Sequence, residues 1–275
     1  WFAHSAEEHR AVREGVAVFD QTSFGKILVQ GRDAERVLGR ICTADVAIAQ
    51  GRIVYTQWLN DRGGVEADLT ISRLAEDRFL VVTTGTQTIR DLDWLRREIP
   101  PDAHVTVTDV TSGEAVIAVM GPRSRELLAS MSDADLSNGA FPFGAVREID
   151  LGLAFARAAR TTYVGELGWE LYVPTEFATH VYDEIASAGE AFGLLHAGYH
   201  ALNSRRMEKA YRHWGHDMSD EDTAIEAGLG FTVAWDKPGG FVGKEALLRQ
   251  RETGVDRRLA VLTLDDPEPL MYHNE

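Results

Sequence analysis

The stretch Tyr55-Thr-Gln-Trp-Leu-Asn-Asp-Arg-Gly-Gly-Val-Glu-Ala-Asp-Leu-Thr70 constrains the fold more than any other, because it must run as strand, tight turn and strand. Asn60-Asp61-Arg62-Gly63-Gly64 is turn material, since glycine and Asn/Asp accept the positive φ angles that hairpin turns need. Past the turn, side chains alternate between faces every second residue. Glu66, Asp68, Thr70 and Ser72 therefore share one face, opposite Val65, Ala67, Leu69 and Ile71. Two readings of that polar face stand side by side. Its acids are either wet surface charges, or carboxylates held rigidly by a strand whose other face is apolar.

Other elements follow from local pattern. Ser5-Ala-Glu-Glu8 reads as a capping box opening a helix to about Arg13, closed by Gly15. Residues 16–20 and 26–30 read as strands, Asp33 to Ile41 as a helix, and Arg78 to Thr83 as a buried strand. Thr86 to Ile99 is an amphipathic helix stopped by Pro100-Pro101. Strands are expected at 105–110 and 115–120, then a short helix after Gly121-Pro122. Phe155 to Val164 and Trp169 to Val173 form a second hairpin, with Gly165-Glu-Leu-Gly168 as its turn. Helices are expected over 176–188, 201–211 and 243–251, and strands over Gly228 to Trp235 and Arg258 to Leu264. Strands paired between helices indicate an α+β class. The composition change near Thr253-Gly-Val255 marks a domain boundary.

A chain of 275 residues accommodates one large or two to three small domains. A net charge of −15 argues against general nucleic-acid binding, which needs a basic surface. It leaves room for an anionic small ligand held by a few local Lys and Arg side chains. The lone Cys42 rules out an intrachain disulfide and a cysteine zinc site, and its apolar helix makes it a small core residue. No apolar run approaches the roughly 18 residues that span a bilayer. The chain begins at Trp1 rather than Met, which suggests a piece of a longer polypeptide.

Several chemical motifs are absent. Gly63-Gly64 lacks the spacing of a dinucleotide fingerprint, and neither a phosphate loop nor a Gly-x-Ser-x-Gly elbow occurs. His196 and His200, like His213 and His216, lack the further acidic or cysteine ligand that a metal helix needs, so they read as satisfied structural histidines. The second hairpin is more informative. Glu170 and Tyr172 share one face of Trp169-Glu-Leu-Tyr-Val173 while Leu171 points the other way. A carboxylate there can accept two hydrogen bonds from a heterocycle's N–H edge, with Tyr172 and Tyr163 as aromatic walls. A surface glutamate beside a core-edge tyrosine fits the same pattern.

Taken together, these segments resemble the aminomethyltransferase family, the T-protein of glycine cleavage. Leu59-Asn60-x-x-Gly63-Gly64-x-x-x-Asp68-Leu69 is similar to its catalytic hairpin. Arg160-Thr-x-Tyr163-x-Gly165-Glu166-x-Gly168-x-Glu170 is similar to its pterin-binding hairpin. Phe19-Asp20 through Gly31, Arg206-Met-Glu208, Glu226-Ala-Gly-Leu-Gly230 and Phe241-x-Gly-Lys244 extend the likeness over most of the chain. Phe24-Gly25-Lys26, Trp169-Glu-Leu-Tyr172 and Tyr211-Arg-His-Trp-Gly215 look more like the C-terminal folate module of FAD-dependent sarcosine and dimethylglycine dehydrogenases. The free-standing enzymes carry two consecutive aspartates where this chain has Ala67-Asp68, so Asp68 alone is left to act, with Glu66 as an auxiliary.

The resemblance implies a multi-lobed α+β fold around a central cavity. Residues 1–252 would form the folate-binding domain in two sub-lobes, and 253–275 the start of a C-terminal barrel that is largely missing. It implies tetrahydrofolate as cofactor, FAD in a domain outside this chain, and a small methylamine as one-carbon donor, with neither nucleic acid nor membrane as partner. Asp68 would lie by the folate nitrogens N5 and N10, orienting the folate and handling proton charge as a one-carbon unit is captured and 5,10-methylenetetrahydrofolate formed. Tyr55 and Thr70 would line the same site, and Glu170 would grip the pterin edge between Tyr163 and Tyr172. Arg206 is a candidate for placing the folate tail or supporting an acid. The implied location is cytoplasmic, or the mitochondrial matrix in a eukaryote. A free-standing aminomethyltransferase or folate-dependent demethylase, and a non-catalytic folate-binding or regulatory module, remain as alternatives.

Overall fold

In the computed structural model, residues 1–266 and residue 268 are described. In chain order the elements are α1 (Phe2–Glu14), β1 (Ala17–Asp20), β2 (Gly25–Gln30), α2 (Ala34–Ile41), β3 (Arg52–Leu59), β4 (Val65–Ala75) and β5 (Arg78–Thr83). Then come α3 (Thr88–Glu98), β6 (Thr106–Asp109), β7 (Glu114–Met120), α4 (Ser124–Ala129), β8 (Val146–Leu151), β9 (Ala154–Ala159) and β10 (Gly168–Pro174). The remainder is α5 (Ala178–Gly189), β11 (Leu195–His196), α6 (Tyr199–Glu208) and α7 (Lys244–Thr253). The strands form two sheets, β11-β1-β7-β10-β9-β8 and β3-β4-β5-β2-β6. Every pairing between named strands is antiparallel except β1 with β11.

Each sheet has an outer face covered by helices. On the first sheet, Trp169, Leu171, Val119 and Ile149 pack with Leu127 and Leu128 of α4 and Val181 and Ile185 of α5. On the second, Ala67, Leu69, Ile71 and Val81 pack with Val37-flanking Leu38 and Ile41 of α2 and Trp94 and Leu95 of α3. Trp58 and Trp94 stack there, with ring centroids 5.1 Å apart. Burying a large apolar side chain contributes about 1.5–3 kcal/mol, so these two cores supply most of the cohesion.

The inner faces meet each other only in part. Leu80 and Val82 of β5 touch Val116 of β7, Ala159 of β9 and Tyr172 of β10. Further along the first sheet's inner face the cover changes: Phe19, Ala118 and Met120 pack under Val12 of α1 and Leu202 of α6. Over the far end of the β3–β4 hairpin lies a third cluster, in which Leu59 and Val65 meet Met218, Ala224, Leu229 and Leu247. The three covers leave their mutual boundary to the polar residues of both hairpins.

Several sequence expectations are corrected here. The first helix starts at Phe2, so Ser5 is not its cap; the Glu8 carboxylate instead accepts the backbone N–H of Gly198 at 2.9 Å. Strand β9 stops at Ala159, making 160–167 a long connection rather than a four-residue turn. The pairing strand β8, unforeseen in the sequence, forms the sheet edge because Glu148 and Asp150 interrupt its apolar pattern. Residues 228–235 hold a 3-10 turn (Gly230–Thr232), not a strand, because they cover a hairpin end and have no sheet edge to join. Residues 258–264 are exposed and form no strand; the Leu259 N–H bonds to the Glu226 carbonyl, and no strand among the described residues lies beside it. No closed barrel occurs among the described residues, and part of the expected 253–275 segment lies outside them. No helix among them is long and apolar enough to cross a membrane.

Candidate functional site

The first hairpin is fastened by Asn60. Its side-chain oxygen accepts the N–H groups of Arg62 and Gly64, both at 3.0 Å, and its amide donates to Glu66 and to the Asp220 carbonyl. Gly63 has φ +87°, a conformation open to glycine at little cost. Gly64 lies so close to the Asp220 carbonyl that no Cβ would fit. Between Trp58 and Leu59 the register slips: Trp58 pairs with Ala67 and Leu59 with Val65, leaving Glu66 as the extra residue of a bulge. The slip places Gln57 directly opposite Asp68.

Asp68 is consequently gripped at both oxygens. Gln57 Nε2 donates to Oδ1 and the Tyr55 hydroxyl to Oδ2, each at 2.9 Å. Burial pushes the Asp68 carboxyl up to about 6, while the Gln57 and Tyr55 donors and the nearby Arg212 guanidinium oppose the rise. Burial also drives the Tyr55 phenol well above its ordinary value, with Asp68 adding to the effect. Tyr55 is thus a fixed donor. Thr70 lies on Asp68's face, paired with Tyr55 and Val82, and its hydroxyl makes no hydrogen bond among the described residues.

Glu170 occupies the boundary on the other sheet. Its strand neighbours are Ala118, under α1 and α6, and Ala159, under the second sheet. It is 8% exposed, and its only hydrogen-bond partner among the described residues is the Tyr172 hydroxyl, which donates to Oε2 at 2.8 Å. Burial raises its carboxyl to about 7, a rise the single donor only partly offsets. A buried carboxyl with one oxygen free of protein donors suits a ligand bringing N–H groups. The Tyr172 hydroxyl thus orients Glu170.

The 160–167 connection carries Tyr163, which packs against the cluster of Val12, Phe19, Ala118 and Leu202. Its ring stacks on Tyr211, with centroids 6.2 Å apart, and its hydroxyl donates to the Arg212 carbonyl at 2.7 Å. Burial lifts the Tyr163 phenol far above its usual range, with the Asp68 and Asp217 charges adding to the rise and Arg206 opposing it. Glu166 anchors this connection through the fully buried Arg205 of α6, which also binds Glu208.

The remaining expectations divide. Arg206 binds Asp217, the Tyr211 carbonyl and Asn203, so in this structure it supports an acid rather than reaching outward. Glu66 is held by Arg90 and Asn60, which makes it part of the turn's scaffold. Two residues escaped the sequence reading. Gln57 was hidden by the bulge. Arg212 is aimed by three backbone carbonyls, those of Ala210, Ala227 and Gly228, at 2.5, 2.7 and 3.2 Å. Ala210, with φ +56°, is the only non-glycine residue in the left-handed region among those described, and it forms the turn that delivers Arg212.

The profile of the GCVT N-terminal domain matches residues 1–237. The 4-methylaminobutanoate oxidase (formaldehyde-forming) of Paenarthrobacter nicotinovorans is 45% identical over 275 residues, covering all of this chain and 33% of the relative. Mitochondrial sarcosine dehydrogenase of Homo sapiens is 37% identical, covering 96% of this chain and 30% of that protein. The chain thus spans about a third of the length of these relatives. Among solved structures, the glycine cleavage system aminomethyltransferase T from Bartonella henselae superposes with a TM-score of 0.80 at 26% identity, covering 91% of this chain and 67% of that one.

Proposed function

This chain belongs to the GCVT aminomethyltransferase family, and from that premise we propose that it is the tetrahydrofolate-binding, one-carbon-transferring module of a flavin-dependent amine dehydrogenase of the sarcosine or dimethylglycine type. The observation carrying this reading is that Asp68 and Glu170, from two separate hairpins, both lie on inner sheet faces, Asp68 held by Gln57 and Tyr55 and Glu170 by Tyr172. A reduced pterin fits the donor set: an N–H edge finds the free oxygen of Glu170, and a flat ring finds Tyr163 and Tyr211.

When bound, tetrahydrofolate supplies the nucleophilic nitrogens that take up a one-carbon unit released from a methylamine. The chain's own residues do the rest. Glu170, oriented by Tyr172, accepts N–H bonds in a water-poor place where a charge-assisted bond is strong. Asp68, with its titration near 6, takes or returns a proton within the working range, and Tyr55 and Gln57 keep its carboxyl plane fixed. Holding both reactants together supplies much of the rate. Residues 1–252 make up this module, and the following segment leads toward a further domain. The amine-oxidising FAD belongs to polypeptide beyond this chain, as the one-third coverage of the relatives suggests.

Titration calorimetry with tetrahydrofolate tests the reading: saturable binding to the chain and to its Asp68→Asn variant supports it. Absence of binding to either overturns it.

A further inference from the structure

Gln57 is fully buried, with its amide between an acid and a row of hydroxyls. Nε2 donates to Asp68 Oδ1 at 2.9 Å, while Oε1 accepts from Thr232 Oγ1 at 2.5 Å and Thr43 Oγ1 at 3.2 Å. Both hydroxyls have a second outlet for their protons. Thr232 Oγ1 lies 2.7 Å from the Leu229 carbonyl, and Thr43 Oγ1 lies 3.2 Å from Thr56 Oγ1, where either can donate. The oxygen and NH2 ends of an amide have nearly the same shape, so the hydrogen-bond network decides which way it points.

Ionised Asp68 has one consistent network, the one just described. Protonated Asp68 has two places for its proton. On Oδ2 it would meet the Tyr55 hydroxyl, whose own proton has no other acceptor among the described residues. Tyr55, which is half-buried, would then lose its one acceptor among the described residues. On Oδ1 it would meet an NH2 group, unless the amide turns over. With the amide turned, Oε1 accepts the Asp68 proton, Nε2 donates to Thr232 and Thr43, and those hydroxyls donate onward to Leu229 and Thr56. Every group is then paired.

We propose that Gln57 is a positioning residue that reverses its side-chain amide when Asp68 gains a proton, so that the proton resides on Oδ1 and the amide turns back when Asp68 gives it up. The other charged or titratable groups near Asp68, namely Tyr55, Arg212 and Tyr163, keep their partners in both states. The inference stands on the hydrogen-bond geometry alone and survives even if the proposed one-carbon transfer does not.

The test is an NMR titration of the 275-residue chain without ligand, following the Asp68 carboxyl carbon and the Gln57 side-chain NH2 signals. The amide signals are expected to move with the midpoint of the Asp68 carboxyl, near pH 6, and to stay still in Asp68→Asn. In Gln57→Leu the Asp68 midpoint is expected to shift by under about half a pH unit, because the turned amide accepts from the protonated acid and so offsets the lowering that the donating amide exerts on the ionised one. A Gln57 that only ever donates would give a rise of about one unit or more on removal, overturning the proposal. Amide signals in the parent chain that ignore the Asp68 titration would overturn it as well, whether or not the leucine variant folds.

Discussion

Tyr172 donates its phenolic proton to Glu170, its same-face neighbour two residues back along β10, at 2.8 Å. Among the described residues it is the one donor to a buried carboxyl whose strand neighbours, Ala118 and Ala159, belong to two different packed clusters.

Glu170→Ala removes that acceptor from the proposed pterin edge. Tetrahydrofolate affinity is expected to fall ~10-fold or more, as loss of a charge-assisted bond would produce. Calorimetric titration of the parent and variant chains measures it; equal dissociation constants would remove Glu170 from the site.

Binding should also depend on pH through the same group. Glu170 titrates near 7, and only its ionised form accepts two N–H bonds. The dissociation constant is expected to be flat above pH 7 and to rise below it, approaching ~10-fold per unit while one proton must be released. Calorimetry at pH 6, 7 and 8 checks the slope, and Glu170→Gln should flatten it.

Asp68→Asn keeps the shape of the first hairpin but cannot exchange a proton. Tetrahydrofolate binding is expected to persist, while single-turnover transfer slows by on the order of 10² or more. An unaltered rate would assign the proton to another group.

Stability should fall as pH rises toward neutrality. Burial raises the carboxyls of Asp68 and Asp91 to about 6 and that of Glu170 to about 7. In that window the folded chain binds more protons than the unfolded chain, so the stability these groups contribute is complete below about pH 4 and is lost as pH climbs through 6 and 7. The carboxyls held low, such as Asp33 and Asp150, titrate beneath this range. Melting temperatures are expected to drop by several degrees between pH 5 and 8, at ~2–4 °C per kcal/mol for a chain of this size. A curve that rises instead would contradict the assignment of buried, raised acids.

The turn offers a check on the scaffold. Asn60→Ala removes the acceptor for two turn amides and the donor to Glu66 and Asp220. A loss of about 1–3 kcal/mol is expected in urea unfolding, with the denaturant slope unchanged. Gly64→Ala should cost more, because its Cβ would collide with the Asp220 backbone rather than with a side chain that can move.

Both hairpins, the alternation that puts Asp68 and Thr70 on one face and Glu170 and Tyr172 on another, and the family likeness were all legible in the residues. Strand periodicity and turn chemistry are local, so the chain itself reports them. Register was not. Counting back from the turn pairs Leu59 with Val65 and would set Gln57 against Ala67; the extra residue Glu66 moves Asp68 into that place instead. Nothing in the turn residues announces a bulge whose extra residue, Glu66, is held by Arg90 and Asn60.

The strands expected at 228–235 and 258–264 failed for a related reason. Their alternation was real, but strand formation needs a partner edge, and the fold supplies none among the described residues. The sequence alone determined which acids and phenols share a face of each hairpin strand. Which of them meet, and with what proton affinity, was decided by tertiary structure, because desolvation and hydrogen-bond partners come from segments far apart in the chain.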